Sequence, residues 1–581
     1  MLRGGYDVLI LGSGISGSAL ALPLSRVGLS VLVLDKSSHP RFAIGEAMVP
    51  TTTSGFERIA KKYRIPEFHQ LFNYAGLKEA GCAAYPKTHF FFGVQREGEP
   101  LAQHEQAMFE TLELPVGPDV HMLRADVDAY LVSRYAHYGV DYAERTTLEG
   151  FRVGPRDVEC TLAAPSGMTT VRAKLILDTS GPGSAVARQL GLRKADPDMK
   201  THTRAIFGHF ENVGRLEDVL GPLPSAFRYS RDAGTIHHCF RGGWVWVIPF
   251  DNGVVSVGVV LDPSVYPINA ALAPEEEFRE IVNRFPTISK QLEGMRAVRP
   301  VVRTGRVQFS STSLVSPGVV LGPNTGGFVD ALYSTGFSII QAFVTRFVPV
   351  AARLLKDPSY ETKRVPIEFR DLDRAYLSEL KMIDSVVHGS IESFRSYDVF
   401  KQYWRIWTTA SLIQFFTRLL GDPEDARGCG TLFGIGLGSW CQAVEDMNAV
   451  LESEHDDLEV ARRMKAIMDA IPQPFPPHLT NYEVGSRDPC LVRLIDRMHA
   501  DLWVTSLAKL PETREEMRLA RMGPFIADVA KKGLALQAKY AWSRLRGGTY
   551  HRHIDFIRGY LLNGDHPPAG YLQHFRPAPW S

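Results

Sequence analysis

The residues whose types and spacing could do chemistry begin with Gly12-Ser13-Gly14-Ile15-Ser16-Gly17, followed a short span later by Asp35. Glycine at the first position allows a tight turn. At the second it lets backbone approach a pyrophosphate, and at the third it lets a helix pack closely on a strand. A helix N-terminus at that point offers N–H groups and a positive dipole end to phosphate. Asp35 stands where an acid accepts hydrogen bonds from an adenosine ribose. The expectation is dinucleotide binding. Arg41, in the loop Ser38-His39-Pro40-Arg41-Phe42-Ala43-Ile44-Gly45-Glu46, would carry a guanidinium to a phosphate or a flavin edge, and a solvated loop arginine is the competing reading. Further on, Trp244-Val245-Trp246-Val247-Ile248-Pro249 puts two indoles on one side of a strand. A second glycine-rich turn, Pro323-Asn324-Thr325-Gly326-Gly327 through Ser334-Thr335-Gly336, leads into a helix and would close a flavin site from the opposite side.

Several elements must position these groups. Val8–Leu11 and Val31–Leu34 are short continuous apolar runs, the pattern of strands buried on both faces, and the Ala/Leu-rich segment between them has helical spacing. That is one βαβ unit. Residues 53–73 read as helix. Lys87 precedes an aromatic strand, Phe90-Phe91-Phe92, and Arg124 opens an amphipathic helix with acids in its first turn. Leu175–Gly181 returns the chain to the nucleotide sheet. Residues 200–300 read as antiparallel strands, among them Thr235–Arg241, Trp244–Phe250 and Gly253–Leu261, with turns between. Val319–Gly322 is a returning core strand, and a long helix runs to about Leu355. From about residue 361 to 581 the pattern is helical, with Leu372, Tyr376, Leu380, Ile383, Val387, Ile391 and Phe394 at 3–4 spacing, then Tyr403, Trp404 and Trp407. The stretch 471–489 and the tail after Gly564 are Pro/Gly-rich and read as loops.

The bulk numbers narrow the function classes. A chain of 581 residues, 45% apolar and 22% charged, buries a large core and divides into more than one domain. Its 65 basic and 64 acidic residues nearly cancel, which gives no electrostatic footprint for nucleic acid or an anionic membrane. The six cysteines are scattered without a CxxC pair, so neither a disulfide framework nor a zinc site is expected, and no metal is assigned. With the nucleotide strand beginning so near Met1 no signal peptide is expected, and since Arg346 and Pro349 interrupt the longest apolar stretch no transmembrane span is expected. The expected location is cytoplasmic.

The N-terminal GxGxxG joined to Trp244-Val245-Trp246-Val247-Ile248-Pro249 resembles the flavin-dependent halogenases, whose WxWxIP signature that run matches. The loop Ser37–Glu46, the turn Gly327–Gly336 and the aromatic helical C-terminal part match as well. Within the family the chain looks closest to the pyrrole-chlorinating enzymes. The resemblance implies an α/β fold with a Rossmann-like FAD-binding sheet of the flavin monooxygenase/halogenase type, an antiparallel substrate-side sheet and a helical C-terminal region. Residues 1–360 would form the FAD module, with the nucleotide sheet in 1–200 and 300–360 and the second sheet at about 200–300. Residues 361–581 would form the substrate-pocket region. It implies FAD supplied reduced by a separate flavin reductase, chloride or bromide as halide, and a small aromatic substrate. The FAD-holding positions would be Gly12, Gly14, Ser16, Gly17, Asp35, Lys36, Arg41, Ile44, Gly45, Arg124, Gly322, Gly326 and Gly327. Ser334, Thr335 and Gly336 would cradle halide, Lys87 (with Lys78 as alternative) would hold the halogenating species, and Trp244 and Trp246 would wall substrate from flavin.

Two departures from the family pattern bear on substrate. Tryptophan halogenases carry a glutamate before the Ser-Thr-Gly turn, and here that residue is Tyr333. Either another group takes the ring proton or none is needed, as an activated phenol or pyrrole would permit, and the change argues against free tryptophan as substrate. The usual Gly-Asp of the second glycine turn is Gly322-Pro323, so the contact to the flavin ribityl or phosphate is lost or moved. Competing readings are an aromatic hydroxylase on the same fold, a halogenase acting on a carrier-tethered ring, and a silent flavin-binding protein. Bland readings also stand beside individual residues: Lys87 as a surface lysine, the tryptophans and most of the other aromatics as core. His237 and His238, adjacent on a strand, would point to opposite faces and not share a metal. Oligomeric state is open.

Overall fold

The computed structural model describes residues 2–110, 119–222, 229–420 and 438–470. Strand Gly5–Leu11 lies at the centre of an eight-stranded sheet, parallel to Val31–Leu34 on one side and to Gly167–Asp178 on the other. Val8, Leu9 and Ile10 are completely buried, as expected of a strand covered on both faces. Gly167–Asp178 serves twice. Its first half pairs antiparallel with Val158–Ala164, and its second half lies parallel to Gly5–Leu11 and to Val319–Leu321. The turns after Leu11, Asp178 and Leu321 therefore open at the same edge, where ligands bind in doubly wound sheets. Helix Ile15–Arg26 covers this sheet, and the long helix Gly336–Lys356 packs against it. Gly336–Lys356 is long and apolar enough to cross a membrane, but 67% of its most apolar window is buried in the protein, the mark of a core helix.

The second sheet orders Arg296–Ala297, Arg204–Glu211, Val255–Leu261, Gly243–Pro249, Thr235–Phe240, His89–Val94 and Gln106–Glu110. The expected strands at 200–300 form its middle, and the chain before them supplies one end. One neighbour is parallel, His89–Val94 beside Thr235–Phe240. Strand Gly243–Pro249 alternates faces. Trp244 and Trp246 turn toward the core shared with the nucleotide sheet, while Val245 and Val247 pack into a second core with Phe278, Ile281 and Ile288. The single helix expected over 53–73 is two, Pro50–Tyr63 and Pro66–Gln70, because left-handed Arg64 and then Pro66 stop the first.

The aromatic run after Lys87 is also divided. Ala84–Lys87 pairs antiparallel with Asp119–Met122 as a separate ribbon, and His89–Val94 joins the second sheet. Thr88 makes the change of partner, its N–H and hydroxyl both bonding the Ala233 carbonyl at 2.9 Å. Helices Arg370–Ser393, Tyr397–Leu420, Gly438–Ser453 and Asp457–Ala470 follow, and Tyr397–Leu420 packs beside Pro50–Tyr63. The loop readings at 471–489 and after Gly564 lie outside the described residues.

Candidate active site

At the nucleotide edge, Gly12 has φ +95°, and a Cβ there would stand 2.8 Å from the Thr179 carbonyl oxygen. Gly17 sits so near the Gly12 carbonyl that a Cβ would lie 2.0 Å from its oxygen. Helix Ile15–Arg26 starts at Gly14 with no side-chain cap and no acid in its first turn, so its N–H groups are left for a ligand. Ser16 is buried in that turn. Two guanidiniums flank it: Arg41 Nη2 and Arg124 Nη2 are 3.3 and 3.7 Å from the point a Gly14 Cβ would occupy. Arg124 is fixed there by Asp128, with Nε–Oδ1 and Nη2–Oδ2 at 3.1 and 3.0 Å, and by donation to the Ile44 carbonyl at 2.9 Å and the Gly45 carbonyl at 3.4 Å. Asp35 Oδ2 accepts from Ser13 N, Ser13 Oγ and Arg41 at 2.9, 2.8 and 3.1 Å, and Oδ1 from Ser37 N at 2.9 Å. Burial pushes this carboxyl up, but the Ser13 and Ser37 N–H groups and Arg41 outweigh it and hold Asp35 below its usual value. A carboxylate has about four acceptor positions, so Oδ1 retains one for a ribose hydroxyl. An uncapped helix start between two arginines, with an ionised acid beyond, fits a dinucleotide diphosphate. Lys36 is exposed beside it.

The second glycine turn meets the first at Thr179. The Gly322 N–H donates to the Asp178 carbonyl at 2.7 Å, and a Gly322 Cβ would touch Thr179 Cγ2 at 2.7 Å. At Gly326 and Gly327 a Cβ would meet Leu314 at 2.9 Å and Leu380 at 2.3 Å respectively. Pro323 removes the usual aspartate, but left-handed Asn324 carries a buried Oδ1 with no hydrogen-bond partner among the described residues. That amide oxygen is an acceptor at the same turn.

Ser334 is left-handed at φ +53°, and Thr335 leads into the 21-residue helix Gly336–Lys356 with no side-chain cap and no acid in the first turn. Tyr333, just before, is buried. Its hydroxyl bonds Ser390 Oγ at 2.5 Å, and its ring stacks on Trp407 at 4.7 Å and 13°. Burial drives its phenol well above the usual value, so it is no base. Trp407 meets Phe90 edge-on at 5.0 Å and Phe109 at 5.1 Å, while Phe92 stacks on His237 at 4.4 Å. Trp404 joins the same cluster. Phe91 faces the other core, and Tyr403 turns away to Asn448 at 2.8 Å. His237 and His238 do face opposite ways, the second bonded to Gln95 at 2.9 Å and Gln291 at 2.7 Å.

Lys87 and Lys78 have different surroundings. Lys78 Nζ pairs with Asp251 at 2.8 Å and donates to the Cys82 carbonyl at 3.1 Å, an interior ion pair that braces a turn. Lys87 Nζ is fully buried, donates to the Met48 carbonyl at 2.6 Å and lies 3.4 Å above the centre of the Phe90 ring. Burial lowers its pKa, and Asp119, opposite it in the two-stranded ribbon, pulls the other way. The lysine thus sits on a ring of the aromatic cluster. Trp244 and Trp246, 5.7 Å apart, extend that cluster from His237 to Phe207, and Phe207 reaches Phe42 of the loop that carries Arg41 at 6.3 Å. The indoles thus stand between the aromatic cluster and that loop.

Fold and site together define a flavoprotein of the Rossmann-sheet class with a lysine-bearing aromatic interior. A family model described as NAD(P)-binding Rossmann-like domain matches residues 10–59, and one described as tryptophan halogenase matches residues 54–365. Tetracycline 7-halogenase from Kitasatospora aureofaciens is 34% identical over 459 residues, 76% of this chain and 78% of the relative. Monodechloroaminopyrrolnitrin halogenase PrnC from Pseudomonas fluorescens is 32% identical over 413 residues, 69% and 71% of the two chains. The crystal structure of halogenase PltM in complex with phloroglucinol and FAD superposes with a TM-score of 0.73 at 25% identity, covering 80% of this chain and 95% of that one. The chain belongs to the flavin-dependent halogenase family. It is an FAD-binding enzyme that halogenates aromatic substrates in secondary metabolism.

Proposed function

We propose that this halogenase acts on a free, small, electron-rich ring of phenol or pyrrole type, with reduced FAD from a separate flavin reductase and with chloride or bromide. The observation that carries the reading is Tyr333. Its phenol, bonded to Ser390 and stacked on Trp407, fills the place of an acid base with a flat aromatic wall. Rings stacked in this way contribute roughly 0.5–1.5 kcal/mol beyond their buried area, which holds Tyr333 and Trp407 as fixed aromatic lining at this position. An electron-rich ring also needs least help in losing a proton. The names of two relatives and one structural neighbour, a tetracycline, a pyrrolnitrin precursor and phloroglucinol, lie in the same chemical range.

FAD held at Gly12–Gly17, Asp35, Arg41 and Arg124 would supply the oxidation of halide by dioxygen. The chain's own groups do the rest. The Ser334–Gly336 turn offers backbone N–H groups to halide at an uncapped helix start. Trp244 and Trp246 keep the ring away from the flavin, and the Lys87 ammonium holds the oxidised halogen by donating a hydrogen bond from a buried site. The test is incubation with FAD, a flavin reductase, NADH, oxygen and bromide against a panel of phenols, pyrroles, indoles and carrier-bound pyrroles, with products read by isotope pattern. Brominated free phenol or pyrrole supports the reading. Product only from carrier-bound rings, or hydroxylation with NADH and no reductase, overturns it.

The halide turn has its own check. Left-handed backbone costs an L-residue roughly 1–2 kcal/mol, most for β-branched side chains. Ser334→Gly should keep the chloride requirement of the parent, whereas Ser334→Val should raise the halide concentration at half-maximal rate by about tenfold. Flavin binding should stay equal in both. Matching chloride curves for the two variants would displace halide from this turn.

A further inference from the structure

With Tyr333 unable to act as a base, the proton displaced from the ring has no acceptor in the site described so far. We propose that Asp119 is that acceptor and the proton partner of Lys87, an assignment that rests on the halogenation reading above. In the ribbon of Ala84–Lys87 with Asp119–Met122 the two residues are directly opposite, which places their side chains on one face about 4.5–5.5 Å apart at Cβ. Asp119 is 4% exposed. Its Oδ1 accepts from Thr53 Oγ1 at 3.2 Å, and its Oδ2 is buried with no hydrogen-bond partner among the described residues. A buried acceptor left unfilled is costly, so its persistence fits an oxygen that receives a donor during turnover. Asp330, a buried acid beside Tyr333, already accepts from Leu332 N at 2.9 Å and Thr203 Oγ1 at 3.4 Å.

The acid is braced on the halide side as well. Thr52, next to Thr53, bonds Ser338 Oγ at 3.0 Å in the first turn of helix Gly336–Lys356. The remaining titratable groups whose charges reach Lys87, His89, His121 and His237, are each held neutral by burial. Burial raises Asp119 and lowers Lys87, each toward its uncharged form, while the attraction between their charges opposes both shifts.

The step balances. The carbon–halogen bond forms as the halogen–oxygen bond of hypohalous acid breaks, and the Lys87 ammonium protonates the departing hydroxide to water. The ring carbon gives its proton to Asp119, and transfer from Asp119 to the Lys87 amine restores both groups. The sum is hypohalous acid and an aryl C–H going to an aryl halide and water.

The test compares Asp119→Asn and Asp119→Glu with the parent in the reductase-coupled assay. Ring halogenation and oxidation of an added thioether by escaping hypohalite are both followed. Asp119→Asn should lose ring halogenation by ~10²-fold or more while thioether oxidation and flavin binding persist. A ring-deuterated substrate should show a primary isotope effect in Asp119→Asn that is absent in the parent, and Asp119→Glu should recover part of the rate. Parental turnover in Asp119→Asn, or a loss shared equally by thioether oxidation with no isotope effect, overturns the assignment. A parent that makes no aryl halide overturns the halogenation reading first, and is told apart by that.

Discussion

Lys87→Met is expected to reduce ring halogenation by ~10²–10⁴-fold while FAD binding, halide oxidation and melting temperature stay near those of the parent. The reason is the contrast between two buried lysines. Methionine has much the same length as lysine and a polarizable sulfur that sits well on an aromatic ring, so Phe90 keeps a packed neighbour. Asp119, deprived of its counter-charge, responds by staying protonated, which burial already favours. Lys78→Met has the opposite signature. It strands Asp251 in the interior, and breaking a buried pair of this kind costs about 3–5 kcal/mol. The variant should lose melting temperature, with halogenation per folded molecule less affected. Rates and thermal melts on the two variants decide the matter. An active Lys87→Met protein with normal turnover would remove this lysine from the mechanism.

That contrast was not available in the sequence. Both lysines stand in a divergent stretch, and what separates them is the partner each finds through the fold: Asp251 for one, Phe90 and Asp119 for the other. The opening βαβ unit was legible because it is local. Apolar runs, three glycines and a terminal acid fix one another within a few turns of chain. The indoles were legible for the same reason, since a period of two is enough to put Trp244 and Trp246 on one face. The change of partner at Thr88 was not, because nothing in Pro86-Lys87-Thr88-His89 says which strands will lie on either side of it. The switch is made by the Ala233 carbonyl, far away in sequence. The parallel placement of His89–Val94 beside Thr235–Phe240 likewise depends on pairing that a single strand does not encode. At Gly326 and Gly327 the sequence does not separate the two common uses of glycine, and the positions of Leu314 and Leu380 add close packing beside the flavin reading. Asp119 carried no signal of its own, and its meaning appears with the register to Lys87.

A pair of glycine variants separates scaffold from cofactor at the first turn. In Gly17→Ala the new methyl would lie 2.0 Å from the Gly12 carbonyl oxygen, and both atoms are anchored on backbone. Alanine gains about 1 kcal/mol over glycine inside a helix. That gain is smaller than the overlap, because helix Ile15–Arg26 must move off strand Gly5–Leu11 to relieve it, and overpacking of a tight core costs typically 1–3 kcal/mol or more. Gly17→Ala should therefore lower the melting temperature and abolish FAD retention together. In Gly14→Ala the methyl meets Arg41 Nη2 at 3.3 Å, the far end of a flexible side chain, and the backbone at φ −68° accepts alanine without strain. The fold should melt within a degree or two of the parent, since replacing an uncapped glycine at this position costs only a fraction of a kcal/mol to about 1 kcal/mol. The methyl nevertheless occupies the cradle between Arg41 and Arg124, so FAD affinity should fall by tenfold or more, about 1.4 kcal/mol. Flavin fluorescence titrations and thermal melts on both proteins measure this directly. Parental FAD affinity in Gly14→Ala would mean that the diphosphate does not lie between the two arginines.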